Sequence, residues 1–394
     1  MRSTRVNVPP ALLCAALIAA ACGGGPASAA HPGPSRSAAS TAAPSAVASA
    51  PTRTEELFAA LEPGGEMPGR DTAVAIAGLD GRARAKATFP ARPEPEIFDA
   101  APVLQPEARV VFGGVVYADG GGRLHRLTIG GASSDVATFP MAAQQELSFA
   151  ASPDGAHVMA VRFSFPPLKS PPPADPASGI YGPGDYAEEL FAADSGGAPA
   201  LLLRQTWPQS VSGMHLLQMV GWTAAGSLAT TDTAYATQDP APGQRLFGRL
   251  VHLDAAGHAG QVLGGPDCLP WDYLPDDTVL CGSGNYQAVS IRSGAGQVLF
   301  ALPNPGGHQY GDLTLAPDGS RITVQDLAQD HAMLADRAGH MTGLPAGFTA
   351  QGWLDQSTVV GLGPNHDLQY VRIDQPSQLV DLGFKGYFLG PVSG

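Results

Sequence analysis

Ser152-Pro153-Asp154-Gly155 stands between two apolar runs, Leu147 to Ala151 before it and His157 to Phe163 after it. Leu147, Phe149 and Ala151 alternate with the two-residue period of a strand. Pro presets φ at the second position of a tight turn, Asp bonds back to the backbone and Gly tolerates positive φ. Strand, turn, strand is a hairpin. The pattern returns at Ala316-Pro317-Asp318-Gly319, after Leu313 and Leu315 and before Arg321 to Val324. A hairpin that recurs along a chain points to a repeat architecture.

With that hairpin as a ruler, six segments follow one another at roughly 98–139, 145–206, 214–265, 267–303, 309–345 and 348–383. Their first turns are Gln105-Pro106-Glu107, Pro153-Asp154-Gly155, Ala224-Ala225-Gly226, Pro275-Asp276-Asp277, Pro317-Asp318-Gly319 and Asp355-Gln356-Ser357. Their second turns are Ala118–Gly122, Asp194–Gly197, Asp254–Gly257, Ser293–Gly296, Asp336–Gly339 and Asp374–Ser377. Four strands per unit at this spacing is the requirement of a propeller blade. Two ends remain. Tyr387 to Pro391 reads as an innermost strand, while Thr72–Ile76 and Ala83–Phe89 read as an outer hairpin without an inner half. Joined, they make a further blade from both termini and leave no edge exposed. The expectation is an all-β propeller of seven four-stranded blades over residues 72–394, with six or eight as the alternatives.

The Ser-Pro-Asp-Gly hairpins at Ser152–Gly155 and Ala316–Gly319 resemble the TolB-type, WD-repeat-like propeller repeats of bacterial envelope proteins. That resemblance implies a toroidal propeller, often a protein-binding platform. It implies no particular reaction, because fold does not specify chemistry.

Composition agrees with the all-β reading. The chain has 394 residues with 49 Gly and 37 Pro, and only 14 % of residues are charged. Its formal charge is −13; loss of Arg2 and Arg5 with residues 1–21 leaves 20 basic against 35 acidic residues, or −15. A negative chain without a Lys/Arg cluster repels phosphate backbones, so nucleic acid is not an expected partner.

Arg2 and Arg5 precede the apolar run Ala11 to Ala20, which is too short for a membrane span and has the form of an export signal. Ile18-Ala19-Ala20-Ala21-Cys22 resembles a bacterial lipobox, although Ala19 stands where Leu is usual. The resemblance implies a signal over 1–21 and diacylation of Cys22, anchoring the protein at the outer face of the cytoplasmic membrane. Cleavage after Ala27-Ser28-Ala29 is the alternative, and it would release a soluble secreted protein. Gly23 to about Thr52 is nearly all Ala, Pro, Ser and Gly, so residues 22–71 read as a tether with a span on the order of 30 Å. Within it, Thr54 to Leu61 has the spacing of two helical turns, with Leu57 and Leu61 on one face. The expected contact with the membrane is through the lipid alone, and the expected state is a monomer.

Cys268 and Cys281 flank Pro275-Asp276-Asp277, and their midpoint falls between Leu274 and Pro275, so a hairpin closed there sets them face to face. The expectation is a disulfide and an oxidising compartment; two buried thiols are the alternative.

Function is expected on the face that carries the blade crossings and the loops between second and third strands. Two of those loops are long: Pro166–Glu188, with Asp175, Tyr181, Asp185 and Tyr186, and Thr231–Arg245, with Tyr235 and Asp239. Trp207, His215, His308 and Tyr310 lie in crossings on the same face. The candidate binding residues are Tyr181, Tyr186, Trp207, Tyr235, His308, Tyr310, His331 and His366. Asp330-His331 and His366-Asp367, with His308, have the chemistry of a divalent-metal site but are equally ordinary polar turn residues. No cofactor or metal is expected on balance. The sequence has no Gly-x-Ser-x-Gly elbow, His-Glu-x-x-His helix or Gly-Lys-Ser/Thr loop. Glu188-Glu189 and Asp276-Asp277 read as a strand start and a turn. The leading expectation is a non-catalytic platform for an envelope protein or small ligand. A propeller hydrolase or lyase with a metal-assisted mouth and an envelope glycan-binding module are the alternatives.

Overall fold

The computed structural model describes residues 55–62, 71–90, 108–142, 144–167, 169–170, 182–208, 217–231, 246 and 248–394. Among them are 28 strands in seven four-stranded antiparallel sheets and no helix. The first three strands are β1 (Leu57–Glu62), β2 (Asp71–Gly78) and β3 (Ala83–Pro90). Blade 1 follows with β4 (Ala108–Val111), β5 (Gly114–Ala118), β6 (Arg123–Thr128) and β7 (Ser133–Thr138). Blade 2 is β8 (Gln145–Ala151), β9 (His157–Ser164), β10 (Asp185–Asp194) and β11 (Ala200–Pro208). Blade 3 is β12 (Gln218–Thr223), β13 (Gly226–Thr231), β14 (Arg249–Leu253) and β15 (Ala259–Val262). Blade 4 is β16 (Leu269–Tyr273), β17 (Val279–Gly282), β18 (Val289–Arg292) and β19 (Val298–Ala301). Blade 5 is β20 (Tyr310–Leu315), β21 (Arg321–Asp326), β22 (His331–Asp336) and β23 (Met341–Gly343). Blade 6 is β24 (Thr349–Asp355), β25 (Thr358–Leu362), β26 (Asp367–Arg372) and β27 (Val380–Lys385). The last strand, β28 (Tyr387–Val392), completes blade 7 in the order β28-β1-β2-β3.

The seven-bladed ring is closed. Seven apolar cores lie one between each pair of neighbouring blades, including blades 6 and 7 and blades 7 and 1. The C-terminal strand supplies the innermost strand of blade 7, as expected, but the N-terminal contribution is larger than expected. β1 is its second strand, so the propeller begins ahead of residue 72.

The segment read as two helical turns is therefore a strand. Leu57 and Leu61 share a face at a spacing of four in a helix, but they also do so in a strand. Tertiary context selects the strand: Leu57, Ala59 and Leu61 enter the core toward blade 1, while Phe58 and Ala60 enter the core toward blade 6. A segment apolar on both faces and paired on both edges is a central strand.

Blade 1 also differs. The expected first turn, Gln105–Glu107, lies outside the described residues. The observed inner hairpin turns at Phe112-Gly113, with Gly113 at φ 71°, and pairs Val111 with Gly114. Ala118–Gly122 is consequently the connection from second to third strand, and the outer hairpin turns at Gly130-Gly131. The five other blades wholly enclosed by the chain turn where the sequence places them.

Cys268 and Cys281 form the expected disulfide, with Cα atoms 5.1 Å apart. They are not directly opposite, because Cys281 pairs with Pro270 and the bond runs diagonally from just before β16. Both cysteines are buried in the core between blades 3 and 4. Closing a loop of this length stabilises by about 3 kcal/mol.

Candidate functional site

The innermost strands β4, β8, β12, β16, β20, β24 and β28 wall the central channel, and their inner edges have no ladder partner. Edge N–H and C=O groups must find other partners or face water. Side chains from neighbouring blades meet that need. Ser148 accepts from Met219 N at 3.0 Å, Asp272 from Leu315 N at 2.8 Å and Gln351 from Phe388 N at 2.8 Å. Tyr273 donates to Val220 O at 3.2 Å. Arg109 donates from Nε to Phe149 O at 3.0 Å and from Nη2 to Met219 O at 2.7 Å, so one residue of blade 1 ties blades 2 and 3.

Five successive innermost strands are bulged against their partners, between Met219 and Gly221, Pro270 and Asp272, Gly311 and Thr314, Ala350 and Gly352, and Phe388 and Gly390. A bulge re-aims side chains and recurs next to functional sites. Here the bulges bring Asp272 and Tyr273 of blade 4 and Asp312 of blade 5 to the wall. Arg109, Asp272 and Tyr273 are surrounded by protein yet keep partial solvent exposure, as channel-wall groups do. Burial lowers the Arg109 guanidinium to about 10, which leaves it charged at neutral pH. Burial raises the Asp272 carboxyl to about 6, against two backbone N–H bonds that lower it. Asp312 sits at φ 44°, and burial together with the charge of Asp330 raises its carboxyl.

At the mouth of blade 5, His308 Nδ1 lies 2.9 Å from Asp326 Oδ2. Asp326 is nearly fully buried and accepts from Ala328 N and Gln329 N on its other oxygen, which fixes its orientation. The His308 ring is half exposed and stacks on Tyr310 at 6.2 Å. Gly306 makes room for it, since a Cβ there would fall 2.5 Å from Nε2. A carboxylate that orients an imidazole is one component of a general base.

The other sequence-predicted residues are dispersed. Tyr310 is buried in the core between blades 4 and 5 rather than displayed. Tyr186 pairs across β10 and β11 with Trp207 and packs on Phe163 and Phe165, so the two form the outer margin of the core between blades 2 and 3. The His331 backbone pairs with Asp326, but its ring lies against Gly343 on the outermost strand, away from the channel. His366 is exposed at a turn with φ 59°. The three histidines therefore do not converge, and no group of three or more His, Cys, Asp or Glu side chains suited to a metal occurs among the described residues. Cys22, Tyr181, His215, Tyr235, Asp175 and Asp239 lie outside the described residues.

Glu188 is not at a strand start. It is buried inside β10, accepts from Leu217 N at 2.8 Å, and burial raises its carboxyl to about 8. Glu146, Phe163 and Glu188 occupy one cross-strand row of blade 2, and both glutamates are buried. Sequence reading missed Arg109, Glu146, Asp272 and Asp326. Arg109 and Asp272 had a signal, a lone charge within an apolar strand, in Ala108-Arg109-Val110-Val111 and Trp271-Asp272-Tyr273. Glu146 and Asp326 stand at strand ends beside Gln145 and Gln325 and carried no such signal.

No protein family matches the sequence, and no curated protein matches it either. Solved structures share the fold. An acylaminoacyl peptidase in complex with a chloromethyl ketone aligns over 84 % of this chain and 51 % of its own, at TM-score 0.50 and 12 % identity. The present chain thus spans about half the length of that peptidase. An acylaminoacyl peptidase of Pyrococcus horikoshii aligns over 83 % and 50 %, at TM-score 0.48 and 12 % identity. A virginiamycin B lyase from Staphylococcus aureus aligns over 73 % and 86 %, at TM-score 0.40 and 10 % identity. At these identities the likeness extends to the propeller fold and no further.

Proposed function

We propose that the chain is an exported lipoprotein, held at the outer face of the cytoplasmic membrane by Cys22, whose TolB-like propeller is a non-catalytic binding platform for an envelope protein or small ligand. The polar channel supports the binding reading best. Arg109, Asp272, Tyr273 and Asp312 come from three blades and sit on strands rather than loops, and the first three are held by bonds between blades. Concave sites with a few fixed polar groups on a stiff scaffold suit ligand binding. The disulfide supports export, because such bonds persist in oxidising compartments.

Two measurements test the reading. Palmitate labelling of the expressed protein should be lost in Cys22→Ser, and the variant should leave the membrane fraction; labelling that persists refutes the anchor. Purified protein should be stabilised to heat by a component of an envelope small-molecule extract. That component should be recovered chemically unchanged; its recovery as product would overturn the non-catalytic reading.

The His308–Asp326 pair favours a second reading, a hydrolase or lyase that uses His308 as base. In that case His308→Ala abolishes turnover and Asp326→Asn reduces it, while neither change alters binding. The glycan-binding alternative rests on Tyr186 and Trp207, both half-buried, and has the weaker support.

A further inference from the structure

We infer that Arg109 is the anchor of an anion-binding site within the central channel, taking a ligand that carries a carboxylate or phosphate group. The inference names a ligand class for the proposed platform, and so it rests on that reading.

Arg109 leaves the innermost strand of blade 1 and passes in front of blade 2 to reach blade 3. Its guanidinium is held by two backbone carbonyls, those of Phe149 and Met219. Neutral carbonyls orient the group without neutralising it. No carboxylate of the described residues approaches within the 4.0 Å of an ion pair. Among the described residues Nη1 has no acceptor, and it is not fully buried, so its N–H groups remain open to solvent on the strand that walls the channel. Arg162, in contrast, pairs with Glu189 at 2.6 Å, and Arg292 pairs with Asp267 at 2.8 Å.

A charge surrounded by protein is costly unless compensated, and a guanidinium does not relieve the cost by deprotonating. Its fork matches carboxylate and phosphate oxygens. Tyr273 is fixed beside it, because its hydroxyl bonds Val220 O, the carbonyl next to that of Met219. Gly221 is required for this approach, since a Cβ there would lie 1.6 Å from the phenolic oxygen. Asp272, the residue before Tyr273, does not neutralise the guanidinium, since its two oxygens are directed at Tyr273 N and Leu315 N. The wall therefore presents one oriented cation with unused donors, flanked by a phenol.

The test uses the full-length protein. Calorimetric titrations with inorganic phosphate and, separately, with acetate are run at constant ionic strength in chloride. Crystals of the wild-type protein are soaked in selenate for anomalous scattering. Saturable binding in one arm, weakened about tenfold or more by Arg109→Gln and unchanged by Arg82→Gln on the surface, supports the site, and the arm that responds identifies the anion class. Selenate within hydrogen-bond reach of Nη1 supports it independently, and this readout decides alone if Arg109→Gln does not fold. No saturable binding together with no selenate at Arg109, or binding that Arg109→Gln leaves intact, overturns the inference. Either negative result leaves the platform reading open to uncharged ligands, whereas turnover of a bound anion would overturn the platform reading and keep the site.

Discussion

Arg109 and Met219 are 110 residues apart and two blades apart, yet the guanidinium of the first is 2.7 Å from the carbonyl oxygen of the second. With the bond to Phe149 O, this makes a single side chain the tie among three innermost strands. Arg109→Met keeps much of the side-chain volume and removes both charge-assisted bonds. The expected loss is about 3 kcal/mol of stability, from two bonds to a charged donor less the relief of its burial. Urea unfolding followed by tryptophan fluorescence reads this, and a loss below about 0.5 kcal/mol would show the tie to be incidental.

The terminal latch gives a prediction about assembly. β28 pairs with β1 from Leu57↔Val392 to Leu61↔Tyr387, and Phe388 packs beside Phe58 at 6.3 Å. Deleting residues 387–394 leaves β1 as an exposed apolar edge. Such edges recruit other chains. The truncated protein should self-associate on size-exclusion chromatography, and a synthetic peptide of the deleted residues should return it to the elution volume of the intact chain. A truncated protein that stays monomeric and heat-stable would show that the ring closes without its last strand.

Reduction of the Cys268–Cys281 bond should lower stability by about 3 kcal/mol without changing the fold, since the bond closes a short hairpin already held by ladder pairs. The double variant Cys268→Ser/Cys281→Ser should show the same loss and should no longer respond to reductant. A protein indifferent to reductant would mean that the bond contributes nothing in solution.

Above the ordinary carboxylate range, Glu188 and Asp272 should make stability fall as pH rises toward 8. Burial raises Glu188 to about 8 and Asp272 to about 6, above the ordinary values of 4.5 and 3.8. In each window the native state holds a proton that the unfolded state has released, so unfolding gains with pH. The Asp272 contribution is complete near pH 6, and that of Glu188 continues to about 8. Glu188→Gln keeps an oxygen for Leu217 N and removes the ionisation. The variant should match the wild type near pH 4.5 and exceed it by a few kcal/mol near pH 8. Equal pH profiles for the two proteins would place the titration elsewhere.

The repeat was legible because each hairpin carries its own turn chemistry: Pro-Asp-Gly at 153–155 and 317–319 fixes a register from three residues. Ring closure was legible from two incomplete ends. β1 was not, because Leu57 and Leu61 fit both helical and strand periods, and only the cores on its two sides decide between them. Blade 1 was misregistered because Phe112-Gly113 is a two-residue turn with no Pro or Asp to mark it. The exposed aromatic face was drawn from residue type, and type does not reveal that Tyr310 is a core residue or that the His331 ring turns outward. The channel groups escaped notice for a related reason. A lone Arg or Asp in an apolar strand reads as a tolerated surface position until the topology makes that strand innermost.

The contact between Gly221 and Tyr273 offers a test of how tightly the channel wall is specified. A Cβ at Gly221 would stand 1.6 Å from the phenolic oxygen and 2.8 Å from the carbon that bears it. Gly221→Ala should therefore cost about 3 kcal/mol, because the Met219–Gly221 bulge and the Val220 bond leave the ring nowhere to move. Tyr273→Phe alone should cost about 1 kcal/mol, the value of one neutral hydrogen bond. Combined, the two changes remove the clashing atom, and the double variant should be more stable than the sum of the single losses predicts by at least about 1 kcal/mol. Unfolding curves of the four proteins in this cycle measure the coupling. Simple additivity would show that Gly221→Ala acts through strain in the β12 backbone rather than through the phenol, and Tyr273 would then be free to leave the guanidinium it flanks.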